Sequence, residues 1–411
     1  MKAFIINFTL FLFCLSLASC GQKQRSSAED DFVSKGLQRA AAQYERMALQ
    51  LSDSTGKLPR TYMNGKLVLS ETGWWCSGFF PGTLWYLYEY SKNENLKQYA
   101  TAYTERLRNE MYTTSHHDVG FMIFCSYGNG YRLTGNEDYA TVIDTACQSL
   151  CTRYNERVGA IRSWDSNKDR WKYPVIIDNM MNLEMLLWGA SHFNRKDWSD
   201  IAISHADKTM KEHYRNDYSC YHVVSYNPET GEAEKKQTAQ GAADSSAWAR
   251  GQAWGLYGYT MMYRFTHEER YLIMAEHIAD FLLSHPNMPA DKIPYWDFNA
   301  PNIPNEERDA SAACIMASAL IELSGYVDGD KKQTYLSVAE QQLRTLCSDE
   351  YLAPEGENGN FILRHSVGAK PQRANAPYFG EVDVPLTYAD YYFVEALVRW
   401  SKLSEEKSLG K

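Results

Sequence analysis

Five stretches of this chain are variations on one helix. They read NLKQYATAYTERL (95–107), EDYATVIDTACQSL (137–150), KDWSDIAISHADKTM (196–210), ERYLIMAEHIADFLL (269–283) and KQTYLSVAEQQLRTL (332–346). Each opens with charged or amide residues and an aromatic: Tyr99, Tyr139, Trp198, Tyr271 or Tyr335. Each then places apolar residues three and four apart, the pattern of a helix with one buried face. The preceding turns, KNEN, TGNE, FNRKD, THEE and VDGDK, carry cap and breaker residues suited to joining antiparallel helices. Before each turn stands a more apolar or glycine-bearing helical stretch. Such a unit cannot bury its apolar stripe alone, so the pairs must bury one another.

Helical periodicity predicts twelve segments, at 30–52, 78–92, 95–111, 119–134, 137–154, 179–193, 196–213, 247–266, 269–285, 309–326, 331–348 and 387–403. Strand-like alternation is sparse and lies in connections such as 161–176 and 218–226. The pairs can stack as an open superhelix or close into a ring of six inner and six outer helices. Six pairs suit the ring, so the expected fold is an all-α (α/α)6 barrel occupying 31–405 as one domain. The more apolar stretches, such as 119–134 and 247–266, should be inner. The long connections 156–178, 214–246, 286–308 and 349–386 should then crowd one mouth. Connections of that length are usually functional.

The N-terminus reads as a targeting segment. Lys2 precedes an apolar run, Ala3 to Leu17, too short for a membrane-spanning helix. Leu17-Ala18-Ser19-Cys20 resembles the lipobox of bacterial lipoproteins, so 1–19 is expected to be a signal peptide. Cys20 is then the lipidated first residue, and 20–30 a polar tether. This implies an exported lipoprotein, periplasmic or anchored at the outer membrane. Of nine cysteines, Cys14 and Cys20 fall in this region, and the remaining seven are scattered without a C-x-x-C. An odd, scattered set excludes a full disulfide framework and argues against structural zinc. The net charge is −9 with no basic block, which argues against nucleic acid as a partner. Aromatic abundance fits both a carbohydrate-binding surface and a large helical core, and decides nothing alone.

Several clusters stand where long connections enter helices: His116-His117-Asp118, Ile177-Asp178-Asn179 and Trp248-Ala249-Arg250. Asp118 and Asp178 sit where helix N-caps belong, and capping is a sufficient reason for an aspartate there. Asp178, however, follows the apolar run Val175-Ile176-Ile177. Burial raises a carboxyl pKa and yields a proton donor near neutrality. Two carboxyls facing one cavity are what sugar chemistry requires. Arg250 and Trp254, four apart, share a helix face.

HHDVGF (116–121), YPVIIDNMMN (173–182), SSAWARGQAWGLYGY (245–259) and YADYYFVEAL (388–397) together resemble the signatures of glycoside hydrolase family 88, the unsaturated glucuronyl hydrolases. The resemblance runs from about residue 30 to 403. It implies an (α/α)6 barrel, no metal and no organic cofactor. It also implies action on lyase-generated oligosaccharides ending in a 4,5-unsaturated uronic acid, by hydration of the vinyl ether. On that resemblance Asp178 is the general acid/base. Asp118 is the second catalytic carboxyl, though a covalent role for one carboxylate stays open. His117, His222, Gln240, Arg250 and Trp254 are expected to line the pocket of the terminal uronic acid, with Arg250 a suitable partner for its carboxylate. Trp75 is a candidate stacking platform. Ser366, Gly368 and Lys370 resemble an S-x-[SG]-x-K pattern of members that accept sulfated glycosaminoglycan products, which predicts sulfate held by Ser366 and Lys370.

Two other readings compete. One is an unsaturated rhamnogalacturonyl hydrolase or plain inverting glycosidase on the same fold. The other is a non-catalytic glycan-binding lipoprotein, which needs no paired carboxylates at helix entries.

Overall fold

The computed structural model describes residues 20–370 and 380–409; the expected signal segment, 1–19, lies outside the described residues. The helices are α1 (Cys20–Gln50), α2 (Phe79–Ser91) and α3 (Glu94–Glu105), then a π-helical stretch, Gly120–Gly128, continuing as α4 (Asn129–Thr134). After α5 (Glu137–Cys151), a 3-10 turn at Ile177–Asn182 continues as α6 (Leu183–His192). The rest are α7 (Lys196–His213), α8 (Ala249–Thr266), α9 (Glu269–Ser284), α10 (Ala310–Leu323), α11 (Gly329–Leu346) and α12 (Thr387–Leu409). α1 takes in the polar 21–30 stretch that composition reads as a tether, and its packed face runs through Val33, Leu37, Ala40, Tyr44 and Met47.

The inner ring closes. α2 packs on the Gly120–Thr134 helix, which packs on α6, followed in turn by α8, α10 and α12, and α12 returns to α2. Outside, α3, α5, α7, α9 and α11 each pack on the inner helix that precedes them, while α1 covers α2 and α12. This is the (α/α)6 barrel. Composition explains which helices go inside. Every residue from Ala249 to Met262 of α8 is buried, as is every residue from Ala310 to Ile321 of α10. α5, by contrast, buries a single stripe that includes Tyr139, Val142, Ile143, Ala146 and Leu150. Inner helices alternate in sequence with antiparallel outer ones, so all six inner N-termini open at the same mouth.

The long connections gather at that mouth. Pro174–Ile176, Val223–Tyr226 and Ala233–Gln237, from two of them, form one antiparallel sheet. A further hairpin, Lys57–Met63 with Lys66–Glu71, was not expected from periodicity. Its signal was present in the Asn64-Gly65 pair, whose φ values of 53° and 72° suit a tight hairpin turn. The seven scattered cysteines are all free, and five of them are buried.

Candidate active site

Asp118 and Asp178 precede or open adjacent inner helices, yet neither caps one: no side-chain cap bond forms at the start of either helix. Asp309, before α10, does cap, accepting the Ser311 N–H at 3.0 Å. The same residue type at equivalent entries is thus put to two uses. The Asp118 carboxylate meets His116 Nδ1 and His117 Nε2, each at 3.2 Å. Burial acts to raise its pKa, but His117, His116 and the Arg153 guanidinium outweigh that and hold it below the usual value. Burial pushes His117 itself down to about 4, so near neutrality its ring stands uncharged beside Asp118.

Asp178 is in the opposite state. Burial, opposed by Arg250 and reinforced by the Asp118 charge, lifts its carboxyl to about 7. Its Oδ2 is buried without a hydrogen-bond partner and faces His222 Nε2 at 3.6 Å, beyond bonding distance. The tautomer of His222 follows from its other nitrogen. Nδ1 accepts the backbone N–H groups of Ala239 and Gln240, both at 3.1 Å, so the proton resides on Nε2 and points at Asp178. The ring packs on Trp248 with centroids 4.5 Å apart, and burial keeps it uncharged. The Trp254 indole N–H is near enough to favour the ionised form of Asp178, though not in hydrogen-bonding geometry.

An aromatic floor lies beneath. Phe121 packs on Trp254 at 5.3 Å and on Trp75 at 5.6 Å, and Trp75 meets Tyr388 at 4.9 Å. Trp75 is therefore half-buried in a cluster, not a free-standing platform.

Arg250 differs from expectation. Its guanidinium is buried and turned to protein groups: Nη1 to Asp309 Oδ2 at 3.1 Å and to the Val367 carbonyl, Nη2 to the Gly368 carbonyl at 2.6 Å. It is sandwiched by Trp248 and Tyr388. A fork so engaged does not present itself to a substrate carboxylate. It anchors the 366–370 strap and lends its charge to Asp178. Gln240 Nε2 donates to the same Gly368 carbonyl at 3.0 Å. Gly368 is required there, since a Cβ would stand 2.3 Å from Glu381 Oε2.

Among the described residues the expected sulfate site does not assemble. Ser366 pairs with Val384 in a short ladder and is fully buried, its hydroxyl turned away from solvent and without a hydrogen-bond partner. Lys370 is engaged by Glu306 at 3.0 Å and by Glu307. Two carboxylates neutralise the one cation and oppose an anion beside it. Asp309, Glu306, Glu307 and Glu381 were missed by sequence reasoning. Only Asp309 carried a signal, standing before an apolar run like Asp118 and Asp178.

The chain matches the family description "Glycosyl Hydrolase Family 88" over residues 53–402. It is 46% identical over 330 residues to an unsaturated glucuronyl hydrolase of Formosa agariphila, covering 80% of each chain. It is 31% identical over 351 residues to an unsaturated chondroitin disaccharide hydrolase of Streptococcus agalactiae, covering 84% of this chain and 85% of that one. Among solved structures, an unsaturated glucuronyl hydrolase specific for heparin superposes with a TM-score of 0.87 at 48% identity, covering 92% of this chain and 98% of that one. The enzyme of a Bacillus species that degrades glycosaminoglycan superposes with 0.80 at 28%, covering 89% and 97%. With its closed helical barrel and its paired aspartates at one mouth, the chain belongs to glycoside hydrolase family 88, as an unsaturated glucuronyl hydrolase.

Proposed function

We propose that this enzyme removes the terminal 4,5-unsaturated uronic acid from lyase-generated glycosaminoglycan oligosaccharides, with Asp178 as acid and then base. The observation that carries this is the split between two neighbouring carboxyls, one raised to about 7 and one held low. A proton donor must be protonated near the working pH, and a charge stabiliser must not be. Asp178 gives its proton to C4, and positive charge develops at C5, shared with the ring oxygen. Asp118, ionised and oriented by His116 and His117, stabilises that charge. Asp178, now a carboxylate, takes a proton from the water that adds to C5. The hemiketal so formed opens by breaking the bond between C5 and the ring oxygen. The hemiacetal left at C1 expels the second sugar as its alcohol. One water is consumed.

The relatives named for heparin and for chondroitin disaccharides support the substrate class. The N-terminal Leu17-Ala18-Ser19-Cys20 supports export and a lipid anchor at Cys20. Metabolic labelling with a radioactive fatty acid should mark the wild type and not Cys20→Ala.

The test of the reaction is the ultraviolet absorbance of the C4=C5 bond in unsaturated heparin and chondroitin disaccharides. Wild type should abolish it and Asp178→Asn should not. Folded protein that consumes none of these disaccharides would overturn the assignment and favour a rhamnogalacturonyl substrate.

A further inference from the structure

One cavity of the described residues lies away from the catalytic mouth. It has a volume of about 360 Å³ and lies among the later turns of the inner helices, at the opposite end of the barrel. That is within the range of about 300–1,000 Å³ typical of small-molecule sites. One wall is aromatic and half-exposed. Trp188 packs against Phe124 with centroids 5.7 Å apart and against Tyr131 at 5.3 Å. The opposite wall and base are polar. Glu395 sits deep, gathering the hydroxyls of Tyr86, Tyr257 and Ser318 at 2.9, 3.0 and 2.6 Å. Nearer the opening, Arg264 bonds Glu184 at 2.7 Å and Glu322 at 2.8 Å, while its Nη2 is buried with no hydrogen-bond partner.

We infer that this cavity is a second binding site, for a neutral saccharide ring. Three features fix the class. Half-exposed rings offer the apolar surface on which sugar C–H faces pack. Carboxylate and guanidinium side by side supply both an acceptor and a donor, which hydroxyl groups use together and a carboxylate ligand does not. The charge is already balanced against anions, since Arg132, Arg264 and Arg399 are each bonded to one or more of Glu89, Glu184, Glu322 and Glu395. The orphaned Arg264 Nη2 marks where a ligand oxygen belongs, because a buried donor left unmet is costly. The site also touches the catalytic end. Gly120, Phe121 and Met181, just downstream of Asp118 and Asp178, also line it, and Phe121 packs on Trp254.

Binding does not depend on turnover, so the test is separable from the reaction. Calorimetric titration of the wild type with glucose, N-acetylglucosamine and glucuronate should show the two neutral sugars binding with Kd on the order of 1 mM. Glucuronate should bind more weakly. Trp188→Ala and Glu184→Gln should each weaken neutral-sugar binding about tenfold, the loss of about 1.4 kcal/mol, and both should still clear unsaturated disaccharides. Glu184→Gln keeps the side-chain shape, which guards against a folding artefact in Trp188→Ala. The inference is overturned if no neutral sugar binds, if both variants bind as the wild type does, or if glucuronate binds more tightly than the neutral sugars.

Discussion

The Phe121 N–H donates to Asn182 Oδ1 at 2.9 Å, tying the turn that carries Asp118 to the turn that carries Asp178. The approach is close enough that a Cβ on Gly120 would stand 2.7 Å from that same oxygen and 2.8 Å from the Asn182 Cα. The spacing of the two carboxyls is therefore set by a glycine on one inner helix and an amide on the next. Misplacement of about 1 Å can cost about a hundredfold in rate. Gly120→Ala should lower kcat by about that factor while far-ultraviolet circular dichroism stays helical. A variant with unchanged kcat would show that the contact does not set the catalytic geometry.

The pH profile should follow Asp178. As a proton donor it is competent below its folded pKa of about 7 and loses competence as pH rises through that value. The profile of kcat/KM, which reports the free enzyme, should fall on its alkaline side there. Its acidic limb should lie below the ordinary carboxylate range, where Asp118 becomes protonated.

Stability should carry the same signature. The folded pKa of Asp178 lies above its unfolded value of about 3.9, so the native state binds the extra proton between about pH 4 and pH 7. Its contribution is present at the low end of that window and is lost as pH rises through about 7. Asp390, lifted to about 7 by burial against the N–H groups of Ile362 and Leu363 and the Tyr44 hydroxyl, has the same sign. Urea midpoints across this range should fall less steeply for Asp178→Asn than for wild type.

Arg250→Met should act twice. It leaves Asp309 as an unpaired buried charge, a defect of about 3–5 kcal/mol in other proteins. It also removes a cation that lowers the Asp178 pKa, so the alkaline limb should move to higher pH. Guanidinium chloride melts and the pH profile read the two effects separately. A limb that stays put or moves down would sink the electrostatic role.

At the strap, Lys370→Ala should change the preference for sulfated over unsulfated disaccharides by less than about twofold, because Glu306 and Glu307 already neutralise it. Glu307→Gln should raise relative kcat/KM for a sulfated disaccharide, since it frees the lysine of one anion. The opposite pattern would restore Lys370 as a sulfate ligand.

The sequence by itself determined the barrel. Helical hairpins with one apolar stripe and apolar partners between them have few ways to bury their surface, and periodicity of that kind is local. It also determined where chemistry would lie, because long connections entering inner helices must share a mouth. The Lys57–Glu71 hairpin escaped notice because it stands alone between helices, although Asn64-Gly65 marked its turn. What only the tertiary structure decided is the state of each side chain. Asp118 and Asp178 look alike in sequence; they part because His116, His117 and Arg153 gather on one, while a desolvating pocket that leaves Oδ2 without a hydrogen bond surrounds the other. Arg250 turned to Asp309, Ser366 into a ladder and Lys370 to two glutamates, each through a partner distant in sequence. Ionisation and hydrogen bonding depend on burial and neighbours within a few ångströms, and those neighbours are chosen by the closure of the ring.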